Sequence, residues 1–212
     1  MMEKSIVIEV GMSDGYDTAK MWERYGLPIY GFEPVPYMYN HTTNRFKSNS
    51  KIHIREAAVD IEDGVKPFHL SNPEGKFTDG TNRPIHPYGC SSLFEFADDI
   101  HEKWKGRPDF NIVETIQVET IRLDTFLSQN NFDGEIEFMH CDAQGNDINV
   151  LRSLGDYLKC LKSGVIEVAN KVQLYKGTDN TVNNAKEFLL SNGFFIEHTK
   201  GNYEADIRFK RL

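Results

Sequence analysis

Apolar residues in this chain come in short β-branched runs separated by longer stretches of helical spacing. Ile6, Val7, Ile8 and Val10 form the first run, with one acid, Glu9, inside it. Such a run suits a strand covered on both faces. Gly11 and Gly15 bracket a tight turn, Tyr16 to Tyr25 has helical character, and Leu27 to Phe32 is a second apolar run ending abruptly at Glu33. Pro34 and Pro36 then open a helix to about Phe46, since prolines cost little where the first amides lack partners. Lys51 to Ala58 alternates and predicts a third strand ending at Val59-Asp60; Val65 to Leu70 adds another. Leu93 to Trp104 predicts a helix, and Thr115 to Ile121 alternates strictly as a strand.

The same alternation fills the second half. Leu123 to Leu127 begins a short helix, and Ile136 to Asp142 forms a strand running into the turn Ala143-Gln144-Gly145. Ile148 to Leu154 is helical, Gly164 to Val168 is a strand, and Asn180 to Ser191 is a helix stopped by Asn192-Gly193. Phe194 to His198 and Ala205 to Lys210 flank Gly201-Asn202 as an antiparallel hairpin. Strands alternating with helices and closing on a hairpin predict an α/β sandwich.

One stretch breaks the pattern. Residues 71–90 carry Pro73, Gly75, Gly80, Pro84, Pro87 and Gly89, which exclude any regular element. A loop this long is either a substrate-side lid or a surface excursion. His86, Tyr88, Ser91 and Ser92 sit where it returns to ordered chain; there they can touch a substrate or cap the next helix.

Composition narrows the classes. The chain has 212 residues, 39% apolar positions and a formal net charge of -8, which fits one domain spanning residues 1–212 with a full-sized core. An acidic balance argues against nucleic acid held by bulk charge. No apolar run approaches membrane-spanning length, and the first strand begins almost at once, so neither membrane insertion nor a signal peptide is expected. Cys90, Cys141 and Cys160, odd in number and without close pairing, suggest reduced thiols and a cytoplasmic setting.

The chemistry gathers at strand ends, where open parallel sheets bind ligands. The first β-α-β unit reads Glu9-x-Gly11-x-x-x-Gly15 with Glu33 closing the second strand. Ser13 and Tyr16 stand where a dinucleotide fingerprint has Gly and Gly or Ala, so the loop does not suit a pyrophosphate. A looser loop preceded by an acid suits a nucleoside with a positive amino group and no phosphate: S-adenosylmethionine. Glu9 and Asp14 then face its methionine end, Glu33 its ribose, and Ala58, Val59 and Asp60 its adenine, with Gly11, Ser13, Gly15 and Pro34 shaping the pocket. His140 and Asp142 lie two residues apart on one strand face, so His140 can take a hydroxyl proton while Asp142 orients it. The alternative is a buried histidine satisfied by a backbone carbonyl. Asp142, Glu167 and Asn170 form an oxygen-rich set that would suit Mg²⁺, or would simply pin loop ends. Gln144, Glu167, Ser91 and Ser92 are candidates for touching the substrate.

Three motifs together, Ile8-Glu-Val-Gly-x-x-x-Gly15, Gly31-Phe-Glu-Pro34 and Met139-His-Cys-Asp-Ala-Gln-Gly145, resemble the FkbM-type S-adenosylmethionine-dependent methyltransferases. The likeness extends over Ser91-Ser92-Leu93, Val118 to Phe126 and Gly193-Phe194. It implies a Rossmann-like seven-stranded sandwich, mostly parallel with an antiparallel C-terminal hairpin, and O-methylation of sugars or glycosylated metabolites. By carry-over, Glu9, Gly11 and Gly15 match the cofactor loop, Glu33 the ribose carboxylate and Asp142 the acid of the fourth strand. The family commonly has Asn where Ser13 or Asp14 stands and Lys where His140 stands. The acceptor class this implies is a sugar hydroxyl, with a 6-deoxyhexose such as rhamnose as one instance, and a glycosyltransferase as fused or working partner. An NAD-type oxidoreductase and an inactive cofactor-binding module are the competing readings.

Overall fold

The structure, a computed structural model, describes residues 2–78 and 84–212. In chain order its elements are β1 (Ser5–Val10), α1 (Tyr16–Tyr25), β2 (Ile29–Phe32), α2 (Pro36–Phe46), β3 (Ile52–Arg55), β4 (Ala58–Val59), β5 (Gly64–Ser71) and α3 (Ile100–Lys103). Then come β6 (Ile112–Ile121), α4 (Leu123–Gln129), β7 (Glu135–Cys141), α5 (Asp147–Ser153), β8 (Ser163–Ala169), α6 (Val182–Ser191), β9 (Phe194–Lys200) and β10 (Glu204–Arg211). Seven strands form one sheet in the order β3-β2-β1-β7-β8-β10-β9. All pair in parallel except β10, which runs antiparallel to both neighbours. The expected sandwich, with its reversed final strand, is the one observed.

The chain steps outward from β1 to β3, then returns to β7 on the other side of β1. The switch point therefore lies between the carboxyl ends of β1 and β7, where such sheets bind ligands. Side-chain alternation assigns the two faces. Ile6, Ile8 and Val10 pack against the α4–α6 side, with Leu123, Leu151 and Leu189. Val7 packs on the other face with Met21 of α1, Ile29 and Phe138. Glu9, two residues beyond Val7, shares that α1 face and is wholly buried.

Two sequence expectations are corrected. The third strand does not run from Lys51 to Asp60: β3 ends at Arg55, where its partner β2 also ends. Beyond that point Ala58 and Val59 find another partner, β6, in a second sheet ordered β4-β6-β5. The helix expected over Leu93 to Trp104 is confined to Ile100–Lys103. Its first half is instead extended, with the Ala97 amide donating to Leu174 O and the Lys176 amide to Glu95 O. Phe94, Phe96 and Ala97 bury themselves by that pairing, against Cys90, Phe110 and Tyr175.

The second sheet and α2 share a cluster of Val35, Met38, Ala58, Phe68, Leu70 and Val118, packed over the switch point. No helix among the described residues is long and apolar enough to cross a membrane. Of the 71–90 loop, residues 79–83 lie outside the described residues. The rest carries no helix, and His86, Tyr88 and Gly89 reach the switch-point cavity.

Candidate active site

A cavity of about 510 Å³ opens at the switch point. Its floor is the glycine turn after β1. Gly11, at φ 79°, turns the chain beneath the carbonyl of Asp142, a conformation and a closeness only glycine tolerates. Ser13 is also left-handed, at φ 49°, and turns its backbone amide to Glu33. That amide donates to Glu33 Oε2 (2.8 Å), while the Val35 amide donates to Oε1 (2.9 Å). The carboxylate of Glu33 is thus fixed at the tip of β2, 4% exposed, with backbone amides bound at both oxygens. Burial raises its pKa to about 7 despite the hydrogen bonds from backbone amides.

Most sequence-predicted cofactor residues meet here. Gly11, Ser13, Asp14, Glu33, Pro34, Ala58 and Val59 all line the cavity, together with His140, Asp142 and Gln144. Gly15 does not line it but starts α1 at φ 74°, where an added Cβ would strike the Phe46 ring. Asp60 stands back from the wall, held by Lys66 (2.6 Å) and by the Asn146 amide (3.1 Å). Glu9 lies beneath the floor, where its Oε2 accepts a hydrogen bond from Thr18 Oγ1 (2.6 Å). Burial lifts the Glu9 pKa to about 8.

A second cavity, of about 700 Å³, adjoins the first and shares Asp142, Gln144 and His86 with it. Glu167 of β8 and Glu204 of β10 enter it, facing the ion pair Arg107–Asp109 (2.8 Å). Gln144, left-handed at φ 48°, clamps the acids: its amide donates to Asp142 Oδ1 (2.6 Å) and Glu167 Oε2 (3.2 Å). Tyr175 Oη in turn donates to Gln144 Oε1 (2.6 Å). Both amide hydrogens of Gln144 are therefore already committed to protein carboxylates. Burial raises the pKa values of Asp142 and Glu167, and their mutual repulsion raises Glu167 further. Burial and Asp142 bring Glu204 to about 8.

Other expected residues take different posts. Ser91 lines the first cavity, but its hydroxyl accepts from the Ser71 amide (2.9 Å). Ser92 donates to the carbonyl of Gln144 (2.6 Å) and so holds the turn after β7. The Mg²⁺ set does not assemble: the Asn170 side chain donates to the Gly201 carbonyl (3.1 Å), away from Asp142 and Glu167. Among the described residues no cluster of three or more His, Cys, Asp and Glu is placed to hold a metal ion. Nor does Asp142 hydrogen-bond to His140; its Oδ1 takes the Gln144 amide, and the carboxylate nearest His140 Nδ1 is Glu9, at 3.9 Å. Sequence patterns alone do not point to Tyr175, Glu204, Arg107 or Thr18.

These buried acids set a pH dependence. Glu33 and Asp147 have pKa values near 7 and Glu9 near 8, each raised by burial above its unfolded value. The folded state holds protons that the unfolded chain releases near pH 4, so their contribution is full below the unfolded value and lost as pH climbs through 7 and 8. The melting temperature should be lower at pH 8.5 than at pH 6.0 by roughly 10 °C, from a loss of about 3 kcal/mol or more. Thermal unfolding followed by circular dichroism checks this; equal midpoints would mean the acids are solvated.

Solved structures of methyltransferases are among those similar to this chain. An rRNA methylase from Streptococcus thermophilus is similar with a TM-score of 0.50 and 13% identity, over 100% of this chain and 89% of that one. Fibrillarin from Aeropyrum pernix, with natively bound S-adenosyl-L-methionine, gives 0.48 and 10% over 98% and 67%. Magnesium protoporphyrin IX methyltransferase from Synechocystis PCC 6803, with bound SAM, gives 0.46 and 12% over 97% and 69%. At 13% identity the likeness to the rRNA methylase is one of fold. No curated protein matches. The model of the methyltransferase FkbM domain matches residues 9–196, from the acid of β1 into β9. The chain belongs to the FkbM-domain methyltransferase family.

Proposed function

We propose that the protein is an S-adenosylmethionine-dependent O-methyltransferase that modifies a sugar hydroxyl in a glycan or glycosylated metabolite. Family membership gives the reaction class and sets aside hydride transfer to NAD. The first cavity fits the cofactor: Glu33 offers acceptors to ribose hydroxyls, Phe32, Val35, Val59 and Leu93 offer an apolar slot to a purine, and Asp14 and Asp17 offer negative charge to the cationic end.

The second cavity carries the acceptor reading. Asp142, Glu167 and Glu204 present carboxylate oxygens, the natural partners of a polyhydroxylated molecule, while Tyr37, His41 and Phe77 present rings to its C–H faces. Acidic side chains outnumber basic ones among the cavity's lining residues, a poor match for a phosphate backbone. A 6-deoxyhexose such as rhamnose adds an apolar methyl that the rings can cover. Such an acceptor is built by glycosyl transfer, so a glycosyltransferase, fused or separate, is the working partner.

The bound cofactor supplies an electrophilic methyl group on a sulfonium. The chain supplies position and a base. Glu33 anchors the nucleoside, the second cavity holds the acceptor hydroxyl, and His140, on the wall of the first cavity, takes its proton. Incubating the protein with methyl-labelled cofactor and a panel of glycans, sugar nucleotides and RNA, then reading products by mass spectrometry, tests this. Label on a sugar hydroxyl is expected. Label on RNA, or none on any acceptor despite tight binding of S-adenosylhomocysteine, would replace the reading with another substrate class or an inactive module. Glu33→Ala should weaken S-adenosylhomocysteine binding by about 1–3 kcal/mol, measured calorimetrically.

A further inference from the structure

Among the described residues three buried side-chain polar atoms have no hydrogen-bond partner, and two of them face each other: Glu9 Oε1 and His140 Nδ1. They are 3.9 Å apart. Glu9 and His140 are direct cross-strand partners of the parallel β1–β7 pairing, and so lie side by side on the face beneath α1. The Glu9 side chain is 1% exposed, that of His140 22%. The glutamate is pinned from its other side by Thr18 Oγ1, itself fully buried, at 2.6 Å from Oε2. Oε1 is thereby turned toward the imidazole. A closure of about 1 Å makes a charge-assisted hydrogen bond and satisfies two groups whose isolation is costly.

We infer that Glu9 is the positioning residue of the base: its carboxylate accepts the Nδ1–H of His140 and leaves the Nε2 lone pair for the methyl-transfer cavity. The proposal rests on His140 acting as base. Nδ1 is sealed while the ring lines the cavity, so the other edge is the one that meets the acceptor. As the O–C bond forms and the S–C bond breaks, the electron pair of that bond stays on sulfur and the hydroxyl proton passes to Nε2. Above the pH of about 8 at which Glu9 ionises, the imidazolium then faces an anionic carboxylate that takes no proton from it.

The surroundings welcome positive charge on the ring. Asp14, Asp17 and Glu33 crowd Glu9 from the turn, α1 and β2, and Asp142 stands beside His140. An acid at position 9 is thus absorbed into the base and not into cofactor binding. This also accounts for Glu9 lying under the cavity floor and away from its wall.

Ring ¹⁵N shifts of His140, assigned by their loss in His140→Gln, test the inference without any acceptor. The measurement is made at pH 8.5, above the value of about 8 to which burial lifts Glu9, so that the carboxylate is ionised. The Nδ1–H tautomer with an unprotonated Nε2 is expected in the unaltered protein. Glu9→Gln keeps the Thr18 hydrogen bond, turns its NH2 toward Nδ1 and should switch the ring to the Nε2–H tautomer; turnover on the acceptor found by the labelling panel should drop roughly 10- to 100-fold with an unchanged KM. An Nε2–H tautomer in the unaltered protein, or ring shifts unmoved by Glu9→Gln, overturns the Glu9 assignment while leaving a His140-dependent activity standing. Full activity of His140→Ala removes the base itself, and the Glu9 assignment with it.

Discussion

Replacing Gly11 by alanine is expected to destabilise the protein by about 4 kcal/mol or more, in the range that marks a backbone conflict. Two costs add. The φ of 79° costs an L-residue about 1–2 kcal/mol. The greater cost is steric, because the new Cβ would run into the carbonyl oxygen of Asp142 and lie 3.1 Å from its carbonyl carbon. Neither side can retreat: the Gly11 amide donates to Phe32 O (3.0 Å) and the Asp142 amide to Val10 O (2.9 Å). Making room means prising the ends of β1 and β7 apart, at the switch point itself. Gly26→Ala separates the two costs, since Gly26 has φ 61° but nothing within 4 Å of an added Cβ. Gly26→Ala should cost only the conformational part, about 1 kcal/mol. Urea denaturation of both variants gives the comparison. Similar midpoints would mean that the close approach of the two strand ends is not maintained in solution. Cofactor affinity should fall with Gly11→Ala and stay intact in Gly26→Ala.

A residue of this site is legible in the sequence when it sits at the end of a periodic element. β1, β2, β7 and β8 announce themselves as apolar runs, and an acid or glycine closing such a run falls at the sheet's carboxyl edge. Glu33, Gly11, Asp142 and Gln144 are found that way, and they do share one cavity. Tyr175, Arg107 and Glu204 are not, for a physical reason. Tyr175 and Arg107 lie on chain with no regular spacing, brought in by loop pairings such as the bridge between Phe96 and Tyr175. Glu204 opens a strand whose inward position depends on the register with β8, Glu204 opposite Ala169, which no local pattern fixes. The helix expected at Leu93 to Trp104 gives way for a similar reason. Its apolar positions satisfy a helical spacing and an extended pairing alike, and the long-range partner decides between them. Proximity along the chain points to Asp142 as the group that orients His140. The cross-strand neighbour, Glu9, lies 131 positions away, and sequence spacing carries no trace of it.

Removing the imidazole, in His140→Ala, is expected to cut turnover by about 10²–10⁴-fold, the usual worth of a positioned general base. A hydroxyl attacking a sulfonium methyl must lose its proton as the new bond forms, and His140 presents an imidazole on the cavity wall. The carboxylates nearby serve less well. Asp142 is committed to the Gln144 amide, Glu33 to two backbone amides, and Glu167 to the same glutamine. The substitution should leave S-adenosylhomocysteine affinity nearly unchanged, because the groups assigned to the cofactor come from β1, β2 and the β4 edge and the ring only borders their cavity. It should therefore lower kcat and kcat/KM together, the pattern of a group that acts in the transition state. A higher KM with kcat intact would place His140 in acceptor binding instead. Undiminished turnover would leave proton removal to Asp142 or Glu167, whose raised pKa values fit the task. The release of that proton from Asp142 or Glu167 would then govern the acid limb of the rate profile, and substituting whichever of the two acts would abolish turnover.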